Sequence, residues 1–178
     1  ADALIHVIDV SGSTNDFGEV VETGSYDPAN DVKFLEEELD FWYLALIKKG
    51  WERFARQLIQ ERKELSKAVS THLSGLGVTE FIMEETIKRL NLPQDILLWV
   101  EDVLFKLAVE LRKITKPMIV ACNKMDVKGS GENFERLKKQ FPNHVFIACS
   151  AESELALREA AKHNLIKYIP GNNNFEIL

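Results

Sequence analysis

Four residues at the end of a short apolar run have the chemistry to recognise a flat, hydrogen-bonding ligand. Asn123, Lys124, Met125 and Asp126 follow the run Pro117–Cys122, and continuous apolar runs are typical of buried parallel strands. A carboxylate such as that of Asp126 accepts from two adjacent N–H donors at once, as guanine presents them, at about 1.5–3 kcal/mol per hydrogen bond. Adenine lacks this donor pair and would leave the carboxylate unpaired, so the pattern predicts guanine recognition.

A second apolar run, His144–Cys149, is followed by Ser150 and Ala151. One polar helix, about Glu132 to Gln140, separates the two runs and predicts a strand–helix–strand unit with a right-handed crossover. Because open parallel sheets bind ligands at the carboxyl ends of their strands, we expect both motifs at one edge. In the alternative interpretation, the asparagine and aspartate of the first motif only cap a turn and its lysine is solvated.

The composition limits the partners that the chain is expected to have. It has 178 residues, 46% hydrophobic content and a net charge of −6, which suits one well-buried core and lacks the basic bias of a nucleic-acid binder. Arg136, Lys138 and Lys139 are predicted to lie on a solvated helix face, with RNA contact as the alternative. No apolar stretch approaches the roughly 20 residues of a membrane span. Cys122 and Cys149 are predicted to be small buried hydrophobes of a cytoplasmic protein.

The organisation along the chain predicts an α/β fold interrupted by helices. Leu4–Val10 is predicted to be a buried strand and residues 11–30 a loop. Residues 27–113 are predicted to form a helical insertion, so that residues 1–26 and 114–178 make up the α/β part. Its apolar spacing predicts an antiparallel, coiled-coil-like hairpin of two helices, with the second running unbroken from Trp51 to Ser74, and then a third, shorter helix and a fourth. The third follows Thr79 and the fourth opens at Pro93.

The acidic residues of the first predicted helix lie between its apolar positions. Glu36, Glu37, Glu38 and Asp40 are predicted to form a solvated face, with docking of a partner as the alternative.

Several stretches of this sequence resemble one protein family, the Obg-related YchF-type GTPases, and in particular their archaeal branch. The residues that carry the resemblance are Ala1–Thr14 (ADALIHVIDVSGST), Asp27-Pro28 and Phe34–Asp40 (FLEEELD). The resemblance implies a P-loop GTPase domain with a Rossmann-like parallel sheet, a helical coiled-coil-like insertion and a C-terminal TGS domain. It also implies GTP and GDP as ligands, Mg²⁺ as cofactor, and a link to ribosomes and translation.

The same resemblance implies a role for each motif residue. Asp126 would hold the guanine edge, the stem of Lys124 would lie on the base plane, and Asn123 would brace the nucleotide loops. Ser150 and Ala151 would close over the guanine oxygen. Some members of the family replace the aspartate and prefer adenine nucleotides, so its presence here favours GTP.

The phosphate-binding loop of such proteins, Gly-x-x-x-x-Gly-Lys-Ser/Thr, does not occur in this sequence. That loop cradles the phosphates and supplies a magnesium ligand. Asp126–Gly129 matches the Asp-x-x-Gly switch pattern, but it overlaps the base motif and is interpreted as chance. We therefore expect the second half of a GTPase domain that does not hydrolyse GTP alone, with conversion of GTP to GDP and phosphate, and the Mg²⁺ site, in an intact parent.

Two alternatives belong to other functional classes. In the first, the helical insertion binds a protein or the ribosome and the α/β part is only its scaffold. In the second, the chain is an unrelated doubly wound α/β domain and its Asn-Lys-x-Asp sequence is a coincidence.

Overall fold

A computed structural model describes residues 2–178 and shows an α/β fold. The described strands are β1 Leu4–Asp9, β2 Met118–Asn123, β3 Val145–Ala148, β4 Ile166–Lys167 and β5 Glu176–Ile177. The described helices are α1 Ala29–Lys48, α2 Trp51–Glu61, α3 Leu65–His72, α4 Glu80–Leu90, α5 Glu101–Thr115, α6 Ser130–Gln140 and α7 Ala151–Lys162. Short 3-10 turns lie at Ser74–Leu76 and Ile96–Leu98.

The chain divides into two compact units. The helical unit takes in the chain up to Leu4 together with residues 33–118, and the sheet unit takes in residues 5–32 and 119–178. None of the helices within residues 2–178 is both long enough and apolar enough to cross a membrane.

The helical unit is organised around one apolar cluster. Apart from Ile96, its largest fully buried side chains are those of Tyr43, Ile47, Met83, Leu107 and Leu111. They recur at helical spacing on α1, α4 and α5, so that one face of each helix enters the shared core. Burial of this apolar stripe supplies most of the stability that short helices lack in isolation.

The prediction of one long helix from Trp51 to Ser74 is wrong. The chain leaves helical geometry at Arg62, whose φ of 49° is left-handed and whose N–H donates to the Ile59 carbonyl at 3.3 Å. The charged sequence Arg62-Lys63-Glu64 supplies no apolar residue to the core at this point. Ending the first helix there lets α3 begin again with its own buried face, including Val69.

The fourth predicted helix begins later than Pro93. Asp95 accepts a hydrogen bond from the Leu97 N–H at 2.9 Å, and the Trp99 indole donates to the Pro93 carbonyl at 2.8 Å. These contacts fix a tight 3-10 turn, and α5 starts only at Glu101. A side chain that bonds the local backbone in this way competes with regular helix.

The prediction of a solvated acidic face on α1 is also wrong in part. Arg112 is 3% exposed, and its guanidinium donates to Asp40 at 2.8 Å and to Glu36 at 3.1 Å. Burial acts to lower the pKa of Arg112, but the two carboxylates raise it, so the buried cation stays charged. Two of the four acidic side chains therefore hold an internal ion-pair cluster rather than facing water.

The sheet unit has a three-stranded parallel sheet in the order β1-β2-β3. Ile119 lies opposite Val145, and Cys122 lies opposite Ala148. The Val10 N–H donates to the Asn123 carbonyl at 3.1 Å, which continues the pairing of the first strand with the second. The carboxyl ends of all three strands therefore lie at one edge, as the sequence predicts.

The two faces of this sheet are buried to different extents. One face packs against the sheet unit's own helices through Ile8, Val120, Cys122 and Leu137, the last from α6. The opposite face carries the exposed side chains of Ile5, Val7, Val145 and Ile147.

The loop after β1 folds back on itself instead of extending into solvent. Gly12 has a φ of +63°, and a Cβ there would lie 2.2 Å from the Tyr26 carbonyl oxygen. The Tyr26 N–H donates to the Gly12 carbonyl at 3.3 Å, and the Gly24 N–H donates to the Ser11 carbonyl at 3.0 Å. Glycine is required at this close approach because any larger residue would clash. The loop is thereby held against the end of the first strand.

The C-terminal tail contains a small antiparallel ladder in which Ile166 pairs with Ile177 and Lys167 with Glu176. The segment Tyr168–Asn174 lies between the two short strands. The Tyr168 hydroxyl donates to Glu154 on α7 at 2.6 Å.

Candidate functional site

The ends of β2 and β3 are joined by backbone and side-chain hydrogen bonds. The Cys149 N–H donates to the Cys122 carbonyl at 3.0 Å, and the Met125 N–H donates to the Cys149 carbonyl at 3.2 Å. The Ala151 N–H donates to the side-chain oxygen of Asn123 at 2.9 Å. The two sequence motifs therefore lie side by side at the carboxyl edge of the sheet.

Asp126 and Ser150 are in direct contact across these strand ends. The Ser150 hydroxyl donates to a carboxylate oxygen of Asp126 and also lies 2.9 Å from the Ser153 hydroxyl. It accepts from the Ser153 N–H at 3.1 Å, which makes Ser150 the N-cap of α7. Asp126 is exposed, and an ionised carboxylate has about four lone-pair sites, so further donors can reach it.

Lys124, two residues before Asp126, occupies an unusual backbone conformation. Its φ of 66° lies in the left-handed region, which costs a residue with a Cβ about 1–2 kcal/mol. Its carbonyl accepts from the buried Ser130 hydroxyl at 2.8 Å and from the Val127 N–H at 3.1 Å. These contacts hold the backbone in place, and such held strain is typical of functional sites.

The ammonium head of Lys124 reaches the loop that follows β1. Its Nζ donates to Asp9 at 2.8 Å, to the Ser13 hydroxyl at 2.9 Å and to the Thr14 hydroxyl at 3.1 Å. Asp9 also accepts from the N–H and the hydroxyl of Ser11. Burial acts to raise the pKa of Asp9, but the hydrogen bond from Lys124 and those from the loop hydroxyls outweigh it and lower that pKa well below its ordinary value.

This second group of residues was not among the predicted site residues. Asp9 ends an otherwise apolar strand and is followed by two hydroxyl residues, Ser11 and Ser13, at alternate positions. A carboxylate at the carboxyl end of a parallel strand is the signal that could have indicated them, because that edge is where open sheets bind ligands. The partner of Asp9 is Lys124, which follows β2 more than a hundred residues later and cannot be identified from sequence spacing.

The two cysteines flank the motifs but have no reactive environment. Cys122 is buried, and Cys149 is half-buried; both are free thiols. Burial, with the nearby Cys149 as a lesser cause, raises the pKa of Cys122 to about 11. Burial also raises the pKa of Cys149. Both thiols are therefore mainly protonated near neutral pH, and the protonated thiol is a poor nucleophile.

Within residues 2–178, the group whose ligand atoms lie close enough for a metal ion is Glu64, Glu80 and Glu84, all in the helical unit. None of the motif residues belongs to it. Magnesium prefers several oxygen ligands, and the motif residues bring one carboxylate, that of Asp126, to this edge of the sheet.

Two basic residues of α6 are engaged within the sheet unit. The Arg136 guanidinium donates to Asp27 at 2.7 and 3.3 Å, and Lys138 pairs with Glu135 at 3.4 Å. Exposed pairs of this kind are typical of a solvated helix surface.

The family comparison and the relatives point to one class of protein. Residues 121–178 match the family described as Obg-like GTPase YGR210-like, G4 motif-containing domain. The chain is 43% identical over 178 residues to a GTP-binding protein of Methanocaldococcus jannaschii, with 100% of this chain and 44% of that protein covered. It is 31% identical over 179 residues to a GTP-binding protein of Schizosaccharomyces pombe, with 43% of that protein covered.

A solved structure gives the same indication. The crystal structure of a GTP-binding protein from Pyrococcus horikoshii OT3 matches 96% of this chain and 49% of that chain, with a TM-score of 0.83 and 41% identity. This chain thus spans about half or less of the length of the proteins it resembles. These comparisons show similarity to GTP-binding proteins along the chain, and to an Obg-like GTPase domain over residues 121–178.

Proposed function

We propose that this chain carries the guanine-recognition half of a GTP-binding protein. The observation that carries the proposal is the joining of two strand ends, in which Ala151 donates to Asn123 and Ser150 donates to Asp126. This arrangement gives a carboxylate and neighbouring backbone N–H groups at the edge of a parallel sheet where ligands bind. The similarity to named GTP-binding proteins supports the same function.

In this proposal each residue meets a different part of the base. Asp126 accepts from the two adjacent donors of guanine, and the hydroxyl of Ser150 orients that carboxylate for them. The methylene stem of Lys124 lies against the base plane. The Ala151 N–H, now bonded to Asn123, is transferred to the guanine oxygen when the nucleotide enters.

The further assignments rest on the resemblance to the archaeal YchF-type branch. We propose that the full-length protein supplies the phosphate loop, the Mg²⁺ ligands and a TGS domain outside these residues. It would convert GTP to GDP and phosphate by attack of water on the γ-phosphate, while the 178-residue chain alone would show no turnover. Residues 27–113 would be the coiled-coil-like insertion, and the protein would act in the cytoplasm on ribosomes or RNA.

A second candidate function is a helical interaction module. The observation that favours it is the set of exposed aromatic residues on α1, where Phe34, Phe41 and Trp42 are 66%, 59% and 51% exposed. Tyr, Trp and Phe are enriched at the centres of protein interfaces. A pulldown with the 178-residue chain, compared with the same chain carrying Phe34→Ser and Trp42→Ser, tests this candidate without any nucleotide.

The decisive experiment for base recognition is Asp126→Asn in the full-length protein. Asparagine presents a donor where the carboxylate accepts, so guanine loses one contact while xanthine, with a carbonyl in place of the amine, gains one. We expect the GTP-to-XTP affinity ratio to fall by at least about tenfold, the effect of one hydrogen bond to a charged group. Competition against a fluorescent guanine nucleotide measures the ratio.

The matched control is Asp102→Asn, an exposed aspartate in the first turn of α5. It makes the same change in charge and should leave the ratio unaltered. An Asp126→Asn protein that folds and keeps the wild-type ratio would overturn the assigned contact. A wild-type protein that binds adenine and guanine nucleotides equally would overturn the proposed function as a whole.

A further inference from the structure

The side chain of Lys124 is fixed at its charged end and still has exposed surface. An ammonium group has three N–H donors, and the three oxygens of Asp9, Ser13 and Thr14 lie 2.8, 2.9 and 3.1 Å from Nζ. The Lys124 side chain is 38% exposed, whereas that of Asp9 is 11% exposed. The three donors of the head are therefore all engaged, and the exposed part of the side chain is available to a ligand.

Asp9 is itself held rigidly in this arrangement. The Ser11 N–H donates to one carboxylate oxygen at 3.0 Å, and the Ser13 hydroxyl donates to the other at 2.8 Å. Ser11 is 1% exposed, and Gly12 next to it is locked by its close approach to Tyr26. A carboxylate with fixed acceptors on a folded loop is a well-defined anchor for a long, flexible cation.

We propose that Asp9 is a positioning residue for nucleotide binding, which holds the Lys124 head so that its stem is pre-set against the purine plane. This inference rests on the proposed function of the site. A lysine stem has several rotatable bonds, and fixing them before the ligand arrives removes an entropy cost that binding would otherwise carry. The stem contacts the face of a base and not its edge. Asp9 therefore sets how tightly a purine nucleotide is held, while Asp126 sets which purine is chosen.

A double-mutant cycle in the full-length protein tests this division of roles. The variants are Asp9→Asn, Lys124→Met and the two combined, with nucleotide dissociation rates and the GDP-to-XDP affinity ratio as readouts. We expect Asp9→Asn to weaken GDP and XDP alike by about tenfold, the typical effect of one charge-assisted hydrogen bond. In the Lys124→Met background, the same change should cost less than about twofold, because the group that it positions is gone.

The outcomes separate positioning from a merely structural role. If Asp9→Asn weakens binding equally with and without Lys124, the carboxylate only supports its own loop and the proposal is overturned. A changed GDP-to-XDP ratio would also overturn it. Asp16→Asn, an exposed aspartate of the same loop, is the matched control and should leave the dissociation rates unaltered.

A milder variant covers the case in which Asp9→Asn fails to fold. Thr14→Val keeps the shape of the side chain but removes one of the three acceptors of the ammonium group. We expect nucleotide dissociation about two- to threefold faster than in the wild type, as for a neutral hydrogen bond. An unchanged rate would mean that the head contacts do not position the stem.

A spectroscopic measurement on the 178-residue chain is independent of nucleotide binding. An immobilised, hydrogen-bonded ammonium exchanges its protons slowly with water, so ¹⁵N-lysine NMR should show a distinct Lys124 side-chain signal. This signal should vanish in Asp9→Asn and persist in Asp16→Asn. Its absence from the wild type would overturn the positioning role even if guanine preference is found. Conversely, a clear signal in a protein without guanine preference would leave the anchor intact and remove the proposed function.

Discussion

The helical unit is held together mainly by buried apolar packing, whereas the sheet unit places its site with polar contacts on a sheet that is buried on one face only. The core of the helical unit draws on α1 to α5 and includes Tyr43, Ile47 and Leu107, all fully buried. The core of the sheet unit is a smaller cluster around Val120 and Leu137. Close packing tolerates little loss of volume, so substitutions in the first core act on stability alone. Polar contacts in the sheet unit act on stability and on the ligand site together.

The largest effect is expected where the helical unit departs from this rule and buries an ion-pair cluster. Arg112→Leu leaves the carboxylates of Asp40 and Glu36 without their shared cation. Breaking a buried pair in this way typically costs about 3–5 kcal/mol in the free energy of unfolding. Urea unfolding followed by tryptophan fluorescence measures it, because all three tryptophans lie in the helical unit.

Arg89→Leu is the control for this substitution. Arg89 contacts Glu110, and its side chain is 59% exposed. An exposed pair contributes at most about 1 kcal/mol, so the two arginine variants should differ several-fold in their cost. Equal costs would mean that burial of Arg112 adds nothing to its pairing energy.

Leu137→Ala tests whether the smaller core is the weaker one. Truncating a fully buried leucine typically costs about 2–5 kcal/mol. In a Cys149→Ser background, thiol labelling of the buried Cys122 reports opening of the sheet unit, and tryptophan fluorescence reports the helical unit. We expect Cys122 to become reactive at a lower urea concentration than the fluorescence transition, and Leu137→Ala to widen this gap.

The corresponding substitution in the helical unit is Leu107→Ala. It should lower the fluorescence midpoint and narrow the gap between the two reporters. Coincident midpoints in the wild type and in both leucine variants would show that the two units unfold as one, and would contradict the comparison.

The two units also differ in how much of their structure could be predicted from the sequence. The strand ends and their two motifs were predictable because apolar runs and strand alternation are local properties, visible within ten residues. The break at Arg62 was not, because it depends on which residues reach a core built from distant segments. The late start of α5 follows from local bonds of Asp95 and Trp99 to the backbone, which apolar spacing does not reveal. The network around Asp9, like the break at Arg62, depends on distant segments, since its carboxylate and the lysine that it binds are brought together only by strand pairing.

The pH dependence of stability should expose the polar contacts of the sheet unit. Because the pKa of Asp9 in the folded protein is lowered from its ordinary 3.8, the carboxylate stabilises the fold above that value. This contribution is lost as the pH falls towards the folded-state pKa. We expect Asp9→Asn to cost about 1–3 kcal/mol near neutral pH, and less with increasing acidity below about pH 4.

Chemical unfolding at a series of pH values measures this difference in the Cys149→Ser background. The probe is labelling of Cys122 by 4,4′-dithiodipyridine, which also reacts with thiols in acid solution. The control is Asp16→Asn, whose cost should stay small across the series. A cost of Asp9→Asn that does not change between neutral and acid solution would show that the ion pair with Lys124 contributes no net stability.

The smallest expected effects come from two helix caps, one in each unit. Thr79 caps α4 by accepting from the Ile82 N–H at 3.3 Å, and Ser150 caps α7 by accepting from the Ser153 N–H at 3.1 Å. Replacing either by alanine should cost about 0.5–2 kcal/mol in the free energy of unfolding. Ser150→Ala also removes the hydroxyl that orients Asp126, whereas Thr79→Ala touches no motif residue. Only Ser150→Ala should therefore weaken guanine nucleotide binding in the full-length protein. If both caps cost stability and neither changes binding, then Ser150 belongs to the fold alone, and the site of the sheet unit rests on Asp126, Asn123 and Lys124.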